Sequence, residues 1–164
     1  PVPSFAFKEP VQTYQDACTE AGTTPYVGFI KAIYIDDDHD TAVKQAQEAV
    51  ENFIQFNVGP QKVIAPKTDA ERDRMIDAGY KFYTLDIFPQ IGRMSYEELL
   101  DKGIIFVGSP ESVGQQLLEL YDEFAFDELL IISHFGNIKR EQSLKTQQLF
   151  ADHIMPLLRS HEPS

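Results

Sequence analysis

Two short apolar runs punctuate the second half of this 164-residue chain: Ile104-Ile105-Phe106-Val107 and Leu129-Leu130-Ile131-Ile132. Runs of this length, bounded by turn residues, predict strands covered on both faces, as in a parallel sheet. Between them, Val113, Leu117 and Leu120 recur at helical spacing, so one face of that segment predicts a buried helix stripe. Ser109 suits the cap of this helix, Pro110 its first position, and Glu111 its first turn. Strand, crossover helix and strand predict one right-handed βαβ unit.

The rest of the pattern extends this reading. Tyr26 to Ile35 is rich in aromatic and β-branched residues and predicts a strand. Glu9 to Ala21 predicts a helix with Val11, Tyr14, Cys18 and Ala21 on its stripe, closed by Gly22. Asp40 to Asn57 predicts a second helix with Ala42, Ala46, Ala49, Val50, Phe53 and Ile54 inward and Gly59-Pro60 as its stop. Burying Val50, Phe53 and Ile54 alone is worth about 5–9 kcal/mol gross, so this helix requires a partner surface. Thr68 with Glu71, and Ser95 with Glu98, predict capping boxes for helices ending near Gly79 and Gly103. Tyr80 to Phe88 fits a strand or a packed loop. Lys139 to Leu158 predicts a long helix with Leu144, Gln148, Ala151, Met155 and Leu158 inward, Ile154 beside them, and Pro156 kinking or ending it. The expectation is a single α/β unit over residues 1–164, with 58–94 as an excursion between a strand and its following helix.

Composition narrows function by exclusion. Hydrophobic residues make up 43% of the chain and aromatic residues 12%, which predicts a folded domain. A net charge of -12 argues against nucleic acid and against anionic membrane surfaces. No apolar run approaches membrane-spanning length. The start, PVPSFAFKEP, lacks the order of a signal peptide, and Cys18 is the one cysteine, so a cytoplasmic setting is expected.

In parallel α/β folds, binding residues lie just past the carboxyl ends of strands. That singles out Gly108 and Ser109, and Ser133 to Gly136. Ser109 is open to two readings, a helix cap or a ligand contact, and so is His134, a packed loop histidine or a ligand contact. The acidic run Asp36-Asp37-Asp38-His39-Asp40 has Thr41 and Gln47 where a calcium loop needs glycine and glutamate. It is read as carboxylates favouring the next helix start. No dinucleotide, phosphate-loop, zinc or nucleophile-elbow motif occurs. Asp127 and Glu128 precede the last strand, at the end away from the candidate site, and are read as surface charges.

Three stretches together carry a resemblance. They are Tyr34-Ile35-Asp36 with Asp40-Thr41-Ala42; Val107 to Val113 (VGSPESV); and Leu129 to Gly136, followed by Leu149-Phe150-Ala151 and Met155-Pro156-Leu157-Leu158-Arg159. In order and spacing they resemble the carboxyl-terminal part of the bacterial luciferase-like flavin monooxygenases, over most of residues 9–159. The resemblance implies a partial (β/α)8 TIM barrel, its last strands and helices, because a full barrel needs about 250 residues. It implies a monooxygenase that uses reduced FMN and oxygen on a small organic substrate, with a deazaflavin as the family's variant cofactor. It assigns Gly108 and Ser109 to the loop before the penultimate helix. Ser133, His134, Phe135 and Gly136 fall in the turn bordering the flavin pocket, and 58–94 becomes a lid. A possible flavin reductase partner and a homo-oligomer are expected, and no metal. The alternative is a non-catalytic short half-barrel protein that associates with itself or another chain.

Overall fold

The computed structural model describes residues 4–84 and 87–161. Eight α-helices and three strands are present among them. A 3-10 turn leads into α1 (Lys8–Ala21), followed by β1 (Gly28–Ile35) and α2 (His39–Ile64). The excursion holds α3 (Asp69–Asp77), a 3-10 turn and α4 (Ile87–Ile91). Then come α5 (Tyr96–Asp101), β2 (Phe106–Gly108), α6 (Pro110–Phe124), β3 (Glu128–Ile132), α7 (Arg140–Leu149), a π turn and α8 (Met155–Ser160).

The sheet is parallel in the order β2-β1-β3. β1 pairs Ile33–Ile35 with Phe106–Gly108 on one side and Gly28–Ala32 with Glu128–Ile132 on the other. The predicted strand–helix–strand unit is present with β1 inserted in it: the strands joined by α6 are parallel but not neighbours, and α6 carries the chain past β1, whose longer apolar run takes the centre.

Both faces of β1 are packed toward its carboxyl end. Phe29, Ile33 and Ile35 share a core with Val113, Leu117, Leu120 and Phe124 of α6 and with Ile154. Ala32 and Tyr34 share another with Ala42, Ala46, Val50 and Ile54 of α2 and Leu99 of α5. The stripes expected on α6 and α2 are therefore the buried ones, with Phe53 half-buried. The expectation that the last strand is covered on both faces fails. Ile30 and its register partner Leu130 are 64% and 47% exposed. No described element lies over them on that face.

Local chemistry sets the helix starts. Ser95 Oγ accepts from Glu98 N at 3.2 Å while Glu98 Oε2 accepts from Ser95 N at 2.8 Å, a complete capping box. Thr68 accepts from Glu71 N, but the Glu71 carboxylate accepts from Lys67 N instead of from its own cap. Asp38 Oδ1 accepts from Thr41 N at 2.9 Å, which fixes the turn into α2.

Three helix expectations are corrected. α2 runs through Gly59-Pro60 to Ile64. Proline's φ is already helical, and one lost backbone bond is a small part of so long a helix. α1 buries none of its predicted stripe: Tyr14 and Ala21 are exposed, Val11 and Cys18 half-buried. The inward side of the last helix is Ser143, Thr146, Phe150 and Ile154, not the Leu144 stripe, and Leu144 is 49% exposed. This helix meets polar strand ends first and the apolar core later, and the π turn Phe150–Ile154 shifts the register between the two parts. That wide turn also accommodates Pro156, which starts α8 and does not end the helix.

Gly136 fixes how the turn after β3 meets α2. Its φ is +55°, and an added Cβ would collide with the backbone of Ala49. Gly136→Ala is expected to lower the unfolding free energy by about 3 kcal/mol, read as a fall in urea midpoint at unchanged slope. Gly79→Ala, at φ +84° with open space around it, is expected to cost only about 1 kcal/mol.

Candidate functional site

The carboxyl ends of the strands form a polar edge closed by α7. β1 leads into Asp36, whose N–H donates to the Gly108 carbonyl at 3.2 Å, holding β2 against it. Lys145 of α7 stands between Asp36 Oδ1 and Asp37 Oδ2, 2.7 Å from each. The hydrogen bonds to Asp36, then Asp37, push the Lys145 ammonium up to about 12, so it stays charged across the neutral range. The next residue, Thr146, accepts at Oγ1 from Ile35 N at 3.1 Å and donates to Ile35 O at 3.2 Å. The Tyr34 hydroxyl donates to Gln45 Oε1 at 2.7 Å and accepts from Gln142 Nε2 at 3.1 Å, and burial raises its pKa.

The residues singled out in the sequence sit on this edge, on either side of Asp36. Gly108 gives its carbonyl to Asp36, and a Cβ there would collide with Ser112 Oγ and crowd His39. Ser109 Oγ accepts from Ser112 N at 3.3 Å, so its helix-cap role is present in the geometry. His39 Nδ1 lies 3.2 Å from Ser112 Oγ. Ser133 is buried, 3.1 Å from Ser143 Oγ, and accepts from Gln147 Nε2 at 2.8 Å. Phe135 is buried against Phe53, Gly136 packs on Ala49, and His134 is exposed.

The two sides differ in how they would receive a phosphorylated cofactor. The open groove at Ser109, about 690 Å³, is lined by Asp37, Asp38, Glu111, His39 and His153. Its carboxylates repel a phosphate dianion. Beyond Gly136, the exposed Lys139 and Arg140 stand at the start of α7 beside Glu141, so two cations outnumber one carboxylate at a helix start, which favours an anion. The fit is therefore confined to the β3 side.

No protein-family model matches the chain, and no curated protein does either. Solved structures do. In fold, the chain is similar to part of two monooxygenases and of a lyase. One is the FMN-bound oxygenating constituent of 3,6-diketocamphane monooxygenase, a type II Baeyer-Villiger enzyme from the CAM plasmid of Pseudomonas putida: TM-score 0.66, 17% identity, 96% of this chain and 41% of that one. Another is monooxygenase RslO1 from Streptomyces bottropensis: TM-score 0.61, 18% identity, 94% of this chain and 38% of that one. A third is the riboflavin lyase RcaE, solved with modified FMN and riboflavin: TM-score 0.52, 14% identity, 97% of this chain and 37% of that one. The chain thus spans about two fifths of the structures it matches.

Within this fold, several residues at the edge escape a strand-end rule because they lie on helices. Gln142, Ser143, Lys145, Thr146 and Gln147 line the inner side of α7, and their only sequence signal is a polar stripe at helical spacing. Lys31 escapes for another reason. It is the one charged residue within β1, 3% exposed, and its Nζ donates to the Gly103 carbonyl at 2.7 Å. Burial lowers its pKa to about 8.

Thr146→Val removes both bonds to the Ile35 backbone and is expected to cost about 1–3 kcal/mol, whereas Thr146→Ser keeps them; urea midpoints separate the two. Lys31 sets a pH dependence. Between about pH 8 and 10.5 the unfolded chain holds a proton on Lys31 that the folded chain has lost, so stability rises with pH across that window. Lys31→Met is expected to remove this rise, measured as urea midpoints at the two ends of the window.

Proposed function

We propose that this chain is the part of a flavin-dependent monooxygenase that supplies the last strands and closing helices of a luciferase-like barrel. FMN is its cofactor, with a deazaflavin as the variant, and its substrate is a small organic molecule. The observation that carries this reading is the superposition of 96% of the chain on an FMN-bound monooxygenase at TM-score 0.66. FMN supplies the redox chemistry with oxygen, and the protein supplies binding, orientation and exclusion of water.

In this reading the phosphate lies on the β3 side, toward Lys139 and Arg140. Asp37, Asp38 and Glu111 keep it from the Ser109 groove. Gly108, Ser109, Ser133, His134 and Gly136 shape the rim, Ser133 through Ser143 and Gln147, and Gly136 through its contact with α2. Residues 58–94 act as a lid over the substrate. The setting is cytoplasmic, with a flavin reductase as partner and a homo-oligomer as the working form. Among the described residues no helix is long and apolar enough to cross a membrane.

The exposed Ile30–Leu130 pair favours a second reading, a non-catalytic half-barrel that associates through this face. Titration of FMN into the protein, followed by flavin fluorescence, separates the two. Saturable quenching, weakened about tenfold by the double change Lys139→Glu and Arg140→Glu and unchanged by Glu111→Gln, is the expected result. No binding of FMN or a deazaflavin, together with a stable oligomer in sedimentation, would overturn the flavin reading.

A further inference from the structure

α3 is a helix without a core of its own. None of its nine residues is buried, and Ile76 is among the exposed ones. A helix this short is marginal in water unless packing supports it. Its ends supply part of that support. Thr68 caps the start, and Gly79, at φ +84°, turns the chain back so that the Tyr80 N–H donates to the Met75 carbonyl at 2.7 Å. This turn sets Tyr80 at a hollow of about 440 Å³ between α3 and the residues that follow α2.

Pro66, Met75, Ala78 and Tyr80 contribute the apolar wall of the hollow, and Lys67, Glu71 and Arg74 line it too. The Glu71 carboxylate is already engaged, because it accepts from the Lys67 backbone N–H at 2.7 Å. Arg74 donates from Nε to the Ala70 carbonyl at 3.2 Å, which steadies the guanidinium without neutralising it. Among the described residues, no carboxylate lies within ion-pair distance of Lys67 Nζ or of the Arg74 guanidinium. The chain holds 26 Asp and Glu residues against 14 Lys and Arg, so two cations left unpaired at one hollow run against its composition.

An apolar hollow with a few converging polar groups is the common form of a small-molecule site. An arginine and a lysine in its lining select a carboxylate, the arginine through two parallel N–H···O bonds. We propose that this hollow binds a small apolar carboxylate. Its ring or chain packs on Met75, Ala78 and Tyr80, and its carboxylate pairs with Lys67 and Arg74. The bound molecule supplies the packing that α3 lacks. The hollow shares no residue with the edge at Lys139 and Arg140, so this site and the flavin reading can fail separately.

The test is titration of the purified protein, without added flavin, with 2-naphthoate, followed by the fluorescence of the ligand. A parallel titration with 2-naphthamide keeps the ring and removes the charge. Saturable binding of 2-naphthoate, about tenfold tighter than of the amide, is expected. The double change Lys67→Gln and Arg74→Gln is expected to erase that difference by weakening 2-naphthoate alone. Ala78→Leu keeps both cations and fills part of the hollow, and it is expected to weaken both ligands. Lys44→Gln, at an exposed position of α2, is the charge control and is expected to change neither. Hydrogen exchange gives a second readout: saturating 2-naphthoate is expected to slow the α3 amides several-fold and leave those of α6 unchanged. Equal affinity for the two ligands would overturn the proposal. So would the absence of saturable binding, or a Lys67→Gln, Arg74→Gln protein that binds 2-naphthoate as tightly as the parent.

Discussion

β1 is paired in parallel on both sides and carries apolar or aromatic side chains on both faces, and the rest of the structure answers to that demand. A strand of this kind is stable only between two covering layers. The odd-numbered positions Phe29, Ile33 and Ile35 need α6 and the π turn, while Ala32 and Tyr34 need α2. Parallel pairing cannot be closed by a hairpin, so each covering helix is also a crossover or its continuation. The demand is met fully at the carboxyl end, where α7 also ties its polar side to the strand ends through Thr146 and Lys145. At the amino end it is met on one face only, which is why Ile30 and Leu130 remain exposed together.

What was legible in the sequence is what short-range chemistry decides. Ser109, Ser95 with Glu98, and Thr68 reach backbone groups three residues away, so their roles do not depend on the remainder of the fold. The stripes of α2 and α6 were legible because both helices face apolar sheet surface and show it. The strand order was not legible. Three apolar runs do not say which is central, and the choice rests on packing between segments distant in the chain. The face of α7 was misread for a related reason. A helix that covers polar strand ends buries Ser143 and Thr146 and leaves Leu144 outside, so a rule that equates apolar with inward selects the wrong side. The candidate site was legible only as positions. Gly108, Ser109 and Ser133 to Gly136 do lie on one edge, but the partners that fix Ser133 and Asp36 come from α7, ten residues or more away in sequence.

Charge gives this edge a direction. The acidic turn after β1 neutralises part of itself through Lys145, which holds Asp36 and Asp37 at 2.7 Å. Asp38 instead spends its carboxylate on the Thr41 N–H and hydroxyl. The groove at Ser109 therefore stays rich in carboxylates, while the turn after β3 ends in Lys139 and Arg140. An anion approaching the edge feels repulsion on one side and attraction on the other. The helix start at Ser109, which on spacing alone resembles an anion site, is overruled by the charges around it.

The same accounting makes Lys31 informative. The chain holds 26 Asp and Glu residues against 14 Lys and Arg, so a buried lysine has carboxylates available for pairing at little structural cost. Lys145 shows the ordinary outcome, two carboxylates drawn to one amine. Lys31 instead has a backbone carbonyl and an aromatic face, and its pKa falls to about 8 where that of Lys145 rises to about 12. Burying an amine without a counter-charge lowers stability below about pH 8 relative to an apolar residue of similar shape. Capping the end of α5 through Gly103 does not require this, because a backbone carbonyl at a helix end is satisfied equally well by water or by an exposed side chain. An amine buried without a counter-charge and fixed at one N–H makes the stability of this fold depend on pH, and that dependence follows from its surroundings alone.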